Sequence, residues 1–137
     1  EEKPLVSNED VGWMFGPQYS PDGTKVAVYW NRRPDAGLWV IALRNGEQTP
    51  VGLGEVMMLG WSPEGEWVYG FREESSQIVR YSITDHSAVV VATIECGKSL
   101  RMVSMTPDAK RFVCAGGEEQ SDLWIAENVK LTGRVER

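Results

Sequence analysis

The sequence predicts an all-β fold: a β-propeller segment of three four-stranded antiparallel blades, half of a six-bladed ring. Two observations predict it. One phrase recurs three times, as Tyr19-Ser20-Pro21-Asp22-Gly23-Thr24-Lys25-Val26-Ala27, Trp61-Ser62-Pro63-Glu64-Gly65-Glu66-Trp67-Val68-Tyr69 and Met105-Thr106-Pro107-Asp108-Ala109-Lys110-Arg111-Phe112-Val113. Its prolines stand 42 and 44 residues apart, a period that short strands fill as propeller blades. In addition, no stretch carries apolar residues at helical spacing with caps at both ends.

The elements follow in order, with strands a, b, c and d running from the inside of each blade outward. Residues 1–10 read as a lone outer strand, with Pro4 tolerated because an edge strand can lack a donor. Blade 1 spans 11–52, blade 2 spans 53–97 and blade 3 spans 98–137. Each repeated phrase is the a–b hairpin. Ser or Thr accepts a local hydrogen bond, Pro pre-sets φ, an acid tolerates the third place and Gly takes a left-handed conformation. Ala109 replaces that glycine in the third copy. A left-handed Ala costs about 1–2 kcal/mol, so this turn is either strained or differently shaped.

Strand b follows as Val26–Trp30, Trp67–Phe71 and Phe112–Ala115, nearly continuous apolar runs of the kind buried on both faces. Polar b–c loops come next, at Asn31–Gly37, Arg72–Gln77 and Gly116–Asp122. Strand c reads Leu38–Leu43, Ile78–Ile83 and Leu123–Ala126. Strand d closes two blades, around Gln48–Val51 and Ala88–Ile94. In the third blade the tail Val129–Val135 offers only a weak fourth strand, given Gly133 and its charges.

Composition bounds the function. The chain of 137 residues is expected to be one domain, with 42% apolar residues and six Trp for its core. A net charge of −6 excludes nucleic acid as the main partner, because that surface demands a basic face. No apolar stretch approaches the roughly 20 residues of a membrane span, so no membrane insertion is expected. The chain opens on Glu1 rather than Met, as a cut-out or processed segment does, which leaves a periplasmic or a cytoplasmic location open. Its two cysteines, Cys96 and Cys114, are expected to be reduced and packed.

The Ser-Pro-Asp-Gly phrase after an aromatic, followed by a short apolar strand, a polar loop and a Leu-Trp-Val strand, resembles the TolB-type (WD40-like) β-propeller repeat. The likeness runs through almost the whole chain. It implies the fold strongly and the activity weakly. Such repeats occur in the periplasmic protein that binds a peptidoglycan-associated lipoprotein and in gating propellers of prolyl oligopeptidase-like peptidases. They also occur in C-terminal sensor propellers of bacterial Ser/Thr protein kinases, whose close Asp122–Asn128 resembles. The resemblance therefore implies a non-enzymatic interaction module or, as the alternative, an accessory propeller of an enzyme. These propellers have six or more blades in one chain, whereas three are present here.

The search for chemistry gives little. His86 is the single histidine, in a c–d turn beside Asp85 and Ser87, so neither a metal cluster nor a Ser–His–acid triad has its parts. The oligogalacturonate lyase-like branch, which holds metal through several histidines, loses weight for the same reason. The chain is read as no enzyme, with no cofactor, no metal and no catalytic residue. Gly52-Leu53-Gly54 lacks the following helix of a phosphate loop and reads as a d–a connection. The residues assigned to partner binding are the charged pairs of the b–c loops: Arg32 and Arg33, Glu73 and Glu74, Glu118 and Glu119. Trp39 and Trp124 are repeat packing residues, as are Tyr19 and Trp61, while Trp13 and Trp30 lack a repeat partner and are expected at an exposed contact. A protein partner is expected on the face carrying the b–c and d–a loops. A homodimer is also expected, since three blades cannot close alone. In it the segment Glu2–Val6 would complete the last blade of the other chain.

Overall fold

The computed structural model describes residues 2, 4–6, 12–95, 100–117, 121–126 and 135–136. They form twelve strands and, among the described residues, no helix. The first sheet is an antiparallel meander of β1 (Met14–Tyr19), β2 (Lys25–Trp30), β3 (Gly37–Ala42) and β4 (Gln48–Leu53). The second repeats it with β5 (Met57–Trp61), β6 (Trp67–Arg72), β7 (Gln77–Ser82) and β8 (Ala88–Thr93). The third holds β9 (Leu100–Met105), β10 (Phe112–Gly117) and β11 (Ser121–Ala126). The last strand, β12 (Val135–Glu136), pairs Val135 with Val89 and Glu136 with Ala88. The tail therefore adds a fifth strand to blade 2, and blade 3 carries three strands among the described residues instead of four.

The three a–b turns are built alike. In each, the residue before Pro exchanges backbone bonds with the start of strand b. Ser20 N–H donates to the Lys25 carbonyl, Ser62 N–H to Trp67 and Thr106 N–H to Arg111, at 2.9, 2.9 and 3.0 Å. Its hydroxyl accepts the return N–H from Lys25, Trp67 or Arg111. The turn closes on a left-handed residue: Gly23 at φ 69°, Gly65 at φ 75° and Ala109 at φ 56°. Ala109 thus keeps the shape of the other two turns and bears the strain of a Cβ in that region.

The acids of these turns are held ionised. The Ser20 hydroxyl and the backbone N–H and hydroxyl of Thr24 lower Asp22 to about 2. Glu64 is lowered by its own backbone N–H and then by the Ser62 hydroxyl, and Asp108 by the Thr106 hydroxyl and the Lys110 backbone N–H. Bonds from Ser87 lower Asp85 in the β7–β8 turn to about 2.

The core lies between blades. Ala27, Leu38, Val40 and Val51 of blade 1 meet Val56, Trp61, Val68, Val79 and Tyr81 of blade 2. Leu59, Tyr69, Phe71, Ile78, Val91 and Ile94 of blade 2 meet Val103, Phe112 and Cys114 of blade 3. Such a junction admits no extra atom in places. A Cβ at Gly52 would stand 2.6 Å from the Tyr81 ring, and one at Gly70 would stand 2.3 Å from Val56. A third cluster, Val26, Val28, Trp30, Trp39 and Ile41, forms the outer face of blade 1, and Val6 and Leu43 pack against it.

Two expectations change. Cys114 is buried as expected but is disulfide-bonded, and the sequence holds one other cysteine, Cys96. Trp30, expected at an exposed contact, is 1% exposed, because the outer face of blade 1 is covered.

Candidate functional site

At the end of the blades opposite the Ser-Pro turns lie the b–c and d–a connections. Between blades 1 and 2 they frame a cleft of ≈ 700 Å³. Phe15 and Gly16 of β1 and Tyr29 of β2 form one wall. Leu53–Met58 crosses from β4 to β5 and forms the base, and Phe71–Ser75 leads out of β6 to form the other wall. The crossing is fixed by Gly54, at φ 102°, whose N–H donates to the Ala36 carbonyl at 2.8 Å. This is the d–a connection that Gly52-Leu53-Gly54 predicts. The β6–β7 loop is fixed by Ser76, left-handed at φ 53°. Its N–H donates to the Glu73 carbonyl, and its own carbonyl accepts from Ile94 N–H at 2.8 Å.

The walls are apolar and open to solvent. Phe15 is 51% exposed and Leu53 57%, and Phe15 leans on Tyr29 with ring centroids 6.2 Å apart. The rim is acidic, from Glu55, Glu73 and Glu74, all exposed. Arg72 is the cation of the lining, and its Nε donates to the Tyr81 hydroxyl at 3.1 Å. Three carboxylates over an apolar floor favour a ligand with positive charge beside an apolar group.

The predicted partner-binding residues divide. Glu73 and Glu74 line this cleft. Arg32 and Arg33 line a second, smaller hollow of ≈ 580 Å³ with Gly12, Trp13 and Asn31. There Arg32 is a packing element: its guanidinium lies 3.8 Å from the Trp39 ring centroid and 4.5 Å from that of Trp30, and it donates to Gln48 Oε1 at 3.3 Å. Cation–π stacking on two indoles explains why a charged side chain sits over the face of blade 1. Glu118 and Glu119 lie outside the described residues. Trp13 is exposed at 74%, as expected of it, and exchanges hydrogen bonds with Asn31.

Sequence reasoning missed Phe15, Leu53 and Met57. Phe15 and Met57 read as ordinary strand residues and Leu53 as part of a connection, and only the meeting of blades puts them in one cleft. The signal available was the d–a connection itself, whose glycines bracket an apolar Leu53 in a loop. His86 is exposed at the β7–β8 turn, at φ 58°, and lines neither hollow. Ser20 and Ser62 are buried and committed to the backbone of their turns.

These meanders, packed face to face with their inner strands β1, β5 and β9 side by side, define a segment of a β-propeller. Solved structures share that fold. TolB from Acinetobacter baumannii aligns with a TM-score of 0.64 at 16% identity, over 96% of this chain and 33% of that one. Oligogalacturonate lyase from Vibrio parahaemolyticus aligns with a TM-score of 0.65 at 11% identity, over 81% of this chain and 31% of that one. An acylaminoacyl peptidase from Pyrococcus horikoshii aligns with a TM-score of 0.63 at 14% identity, over 92% and 25%. The chain thus spans a third or less of the length of these propeller-containing proteins. Neither a protein-family model nor a curated protein matches the sequence.

Proposed function

We propose that this chain is a non-enzymatic interaction module whose loop face docks a partner protein. The partner presents a Lys or Arg side chain next to an apolar one to the cleft between blades 1 and 2. The observation that carries this reading is the placement of Glu55, Glu73 and Glu74 around the exposed apolar side chains of Phe15, Leu53 and Met57. Apolar surface supplies the affinity, and the carboxylates select the charge and steer the encounter. An interaction role also suits a site whose rim is formed by loop carboxylates, with His86 and the Ser-Pro turn serines elsewhere.

Fluorescence anisotropy tests it with two short labelled peptides, one alternating Lys and Leu, the other Glu and Leu. The Lys-Leu peptide is expected to bind, to weaken as salt is added, and to lose affinity several-fold in a Glu73→Lys, Glu74→Lys variant. Equal binding of both peptides, or an unchanged affinity in the variant, would overturn the reading.

A further inference from the structure

The five methionines of the chain divide by their surroundings. Met58 packs on the cluster between blades 1 and 2, and Met105 on the cluster between blades 2 and 3. Met14, Met57 and Met102 are exposed, at 39%, 39% and 64%. Of these three, Met57 alone lines the cleft between blades 1 and 2, where the half-buried Met58 stands next to it. Across the a–b ladder Met57 pairs with Phe71, as Phe15 pairs with Tyr29 and Met102 with Ala115. Phe15, Met57 and Met102 therefore share one repeat place on the inner strands. The cleft takes two of them, Phe15 and Met57, from consecutive blades.

A thioether in contact with solvent is open to peroxides, whereas hydrocarbon side chains are not. The sulfur lone pair attacks one peroxide oxygen, the O–O bond breaks, and a proton moves to the leaving oxygen, which departs as water. Sulfur is oxidised to the sulfoxide and the peroxide is reduced. An apolar, flexible side chain becomes a polar one. At Met57 that change falls on the surface against which the apolar group of a partner packs. Burying the new S–O dipole strips it of water, and this weakens the contact.

We propose that Met57 is a modification site: its oxidation by hydrogen peroxide, or by an organic peroxide of similar size, loosens the docking of a partner in the cleft. This rests on the docking role proposed above. The repeat supplies the controls. Phe15 holds the place of Met57 in blade 1, so Met57→Phe introduces a side chain that this fold already carries there. Met102 holds the same place in blade 3, is more exposed than Met57 and does not line the cleft, so its oxidation leaves docking alone.

Hydrogen peroxide treatment of the whole chain, followed by digestion and mass spectrometry, shows which methionines gain one oxygen. Met14, Met57 and Met102 are expected to react several-fold faster than Met58 and Met105. Fluorescence anisotropy with the Lys-Leu peptide then compares each chain with itself before and after treatment. Affinity is expected to fall several-fold in wild type and in Met102→Phe, and to hold in Met57→Phe. Met57→Leu gives a second variant of this kind, with circular dichroism to check that both fold. Unchanged affinity in a wild type fully converted at Met57 would overturn the proposal. So would an equal loss in the Met57 variants, or a Met57 that reacts no faster than Met58. An untreated wild type that does not bind the peptide would overturn the docking role, and the effect of oxidation with it.

Discussion

The indole Nε1 of Trp61 donates to the backbone carbonyl of Gln18 at 3.0 Å, tying the inner strands of the first two blades together. Gln18 answers through its side-chain amide, which donates to the Leu59 carbonyl at 3.4 Å. Trp61 is 6% exposed, whereas its repeat counterpart Tyr19 is 70% exposed. Trp61→Phe removes this donor and part of the packing at the junction, so it is expected to cost about 1–2 kcal/mol. Tyr19→Phe should change the monomer's stability by less than about 0.5 kcal/mol. Urea unfolding at a concentration that keeps the chain monomeric measures both, and equal effects would contradict the assignment.

Ala109 adopts φ 56° where the other two turns use glycine. Ala109→Gly removes the clash of a Cβ in the left-handed region, at some cost in unfolded-chain entropy. The expected net gain is about 1 kcal/mol. Gly23→Ala and Gly65→Ala should each lose a similar amount, and thermal unfolding of the three variants gives the comparison directly.

Acid should loosen the turns within a definite window. Asp22 and Asp85 are lowered from 3.8 to about 2 by hydroxyl and backbone N–H donors that need an ionised acceptor. A carboxylate whose folded pKa lies below its unfolded one contributes stability above the unfolded value. That contribution is lost as pH falls through the folded one. The loss is therefore expected between about pH 4 and pH 2. Asp22→Asn and Asp85→Asn should be less stable than wild type at pH 7 and should flatten the pH dependence in that window. Denaturation midpoints at a series of pH values test it.

The bonded state of Cys114 predicts that the denatured, unreduced chain shows fewer than two free thiols on titration. Reduction should lower the urea midpoint, since a bridge restricts the unfolded chain. Two free thiols in the oxidised chain would contradict it.

The repeat, the hairpin turns, the order of strands within each blade and the all-β class were legible in the sequence. Their signals are local: a proline, an acid and a glycine set the turn dihedrals, and the apolar runs follow at once. Part of the candidate site was legible too, since Glu73 and Glu74 stand out as a charged pair in a loop. The tertiary structure alone decided that Phe15 and Leu53 share a cleft with them, because those residues come from different blades. It alone decided that Arg32 lies over Trp39 and Trp30, and that the tail pairs with β8 rather than β11. It also separated residues that the repeat makes equivalent, burying Leu38 and leaving Leu123 in water. Turn and strand preferences act between neighbours along the chain. Burial depends on which surface packs in front of a residue, and identical repeats carry no mark of their place in the row.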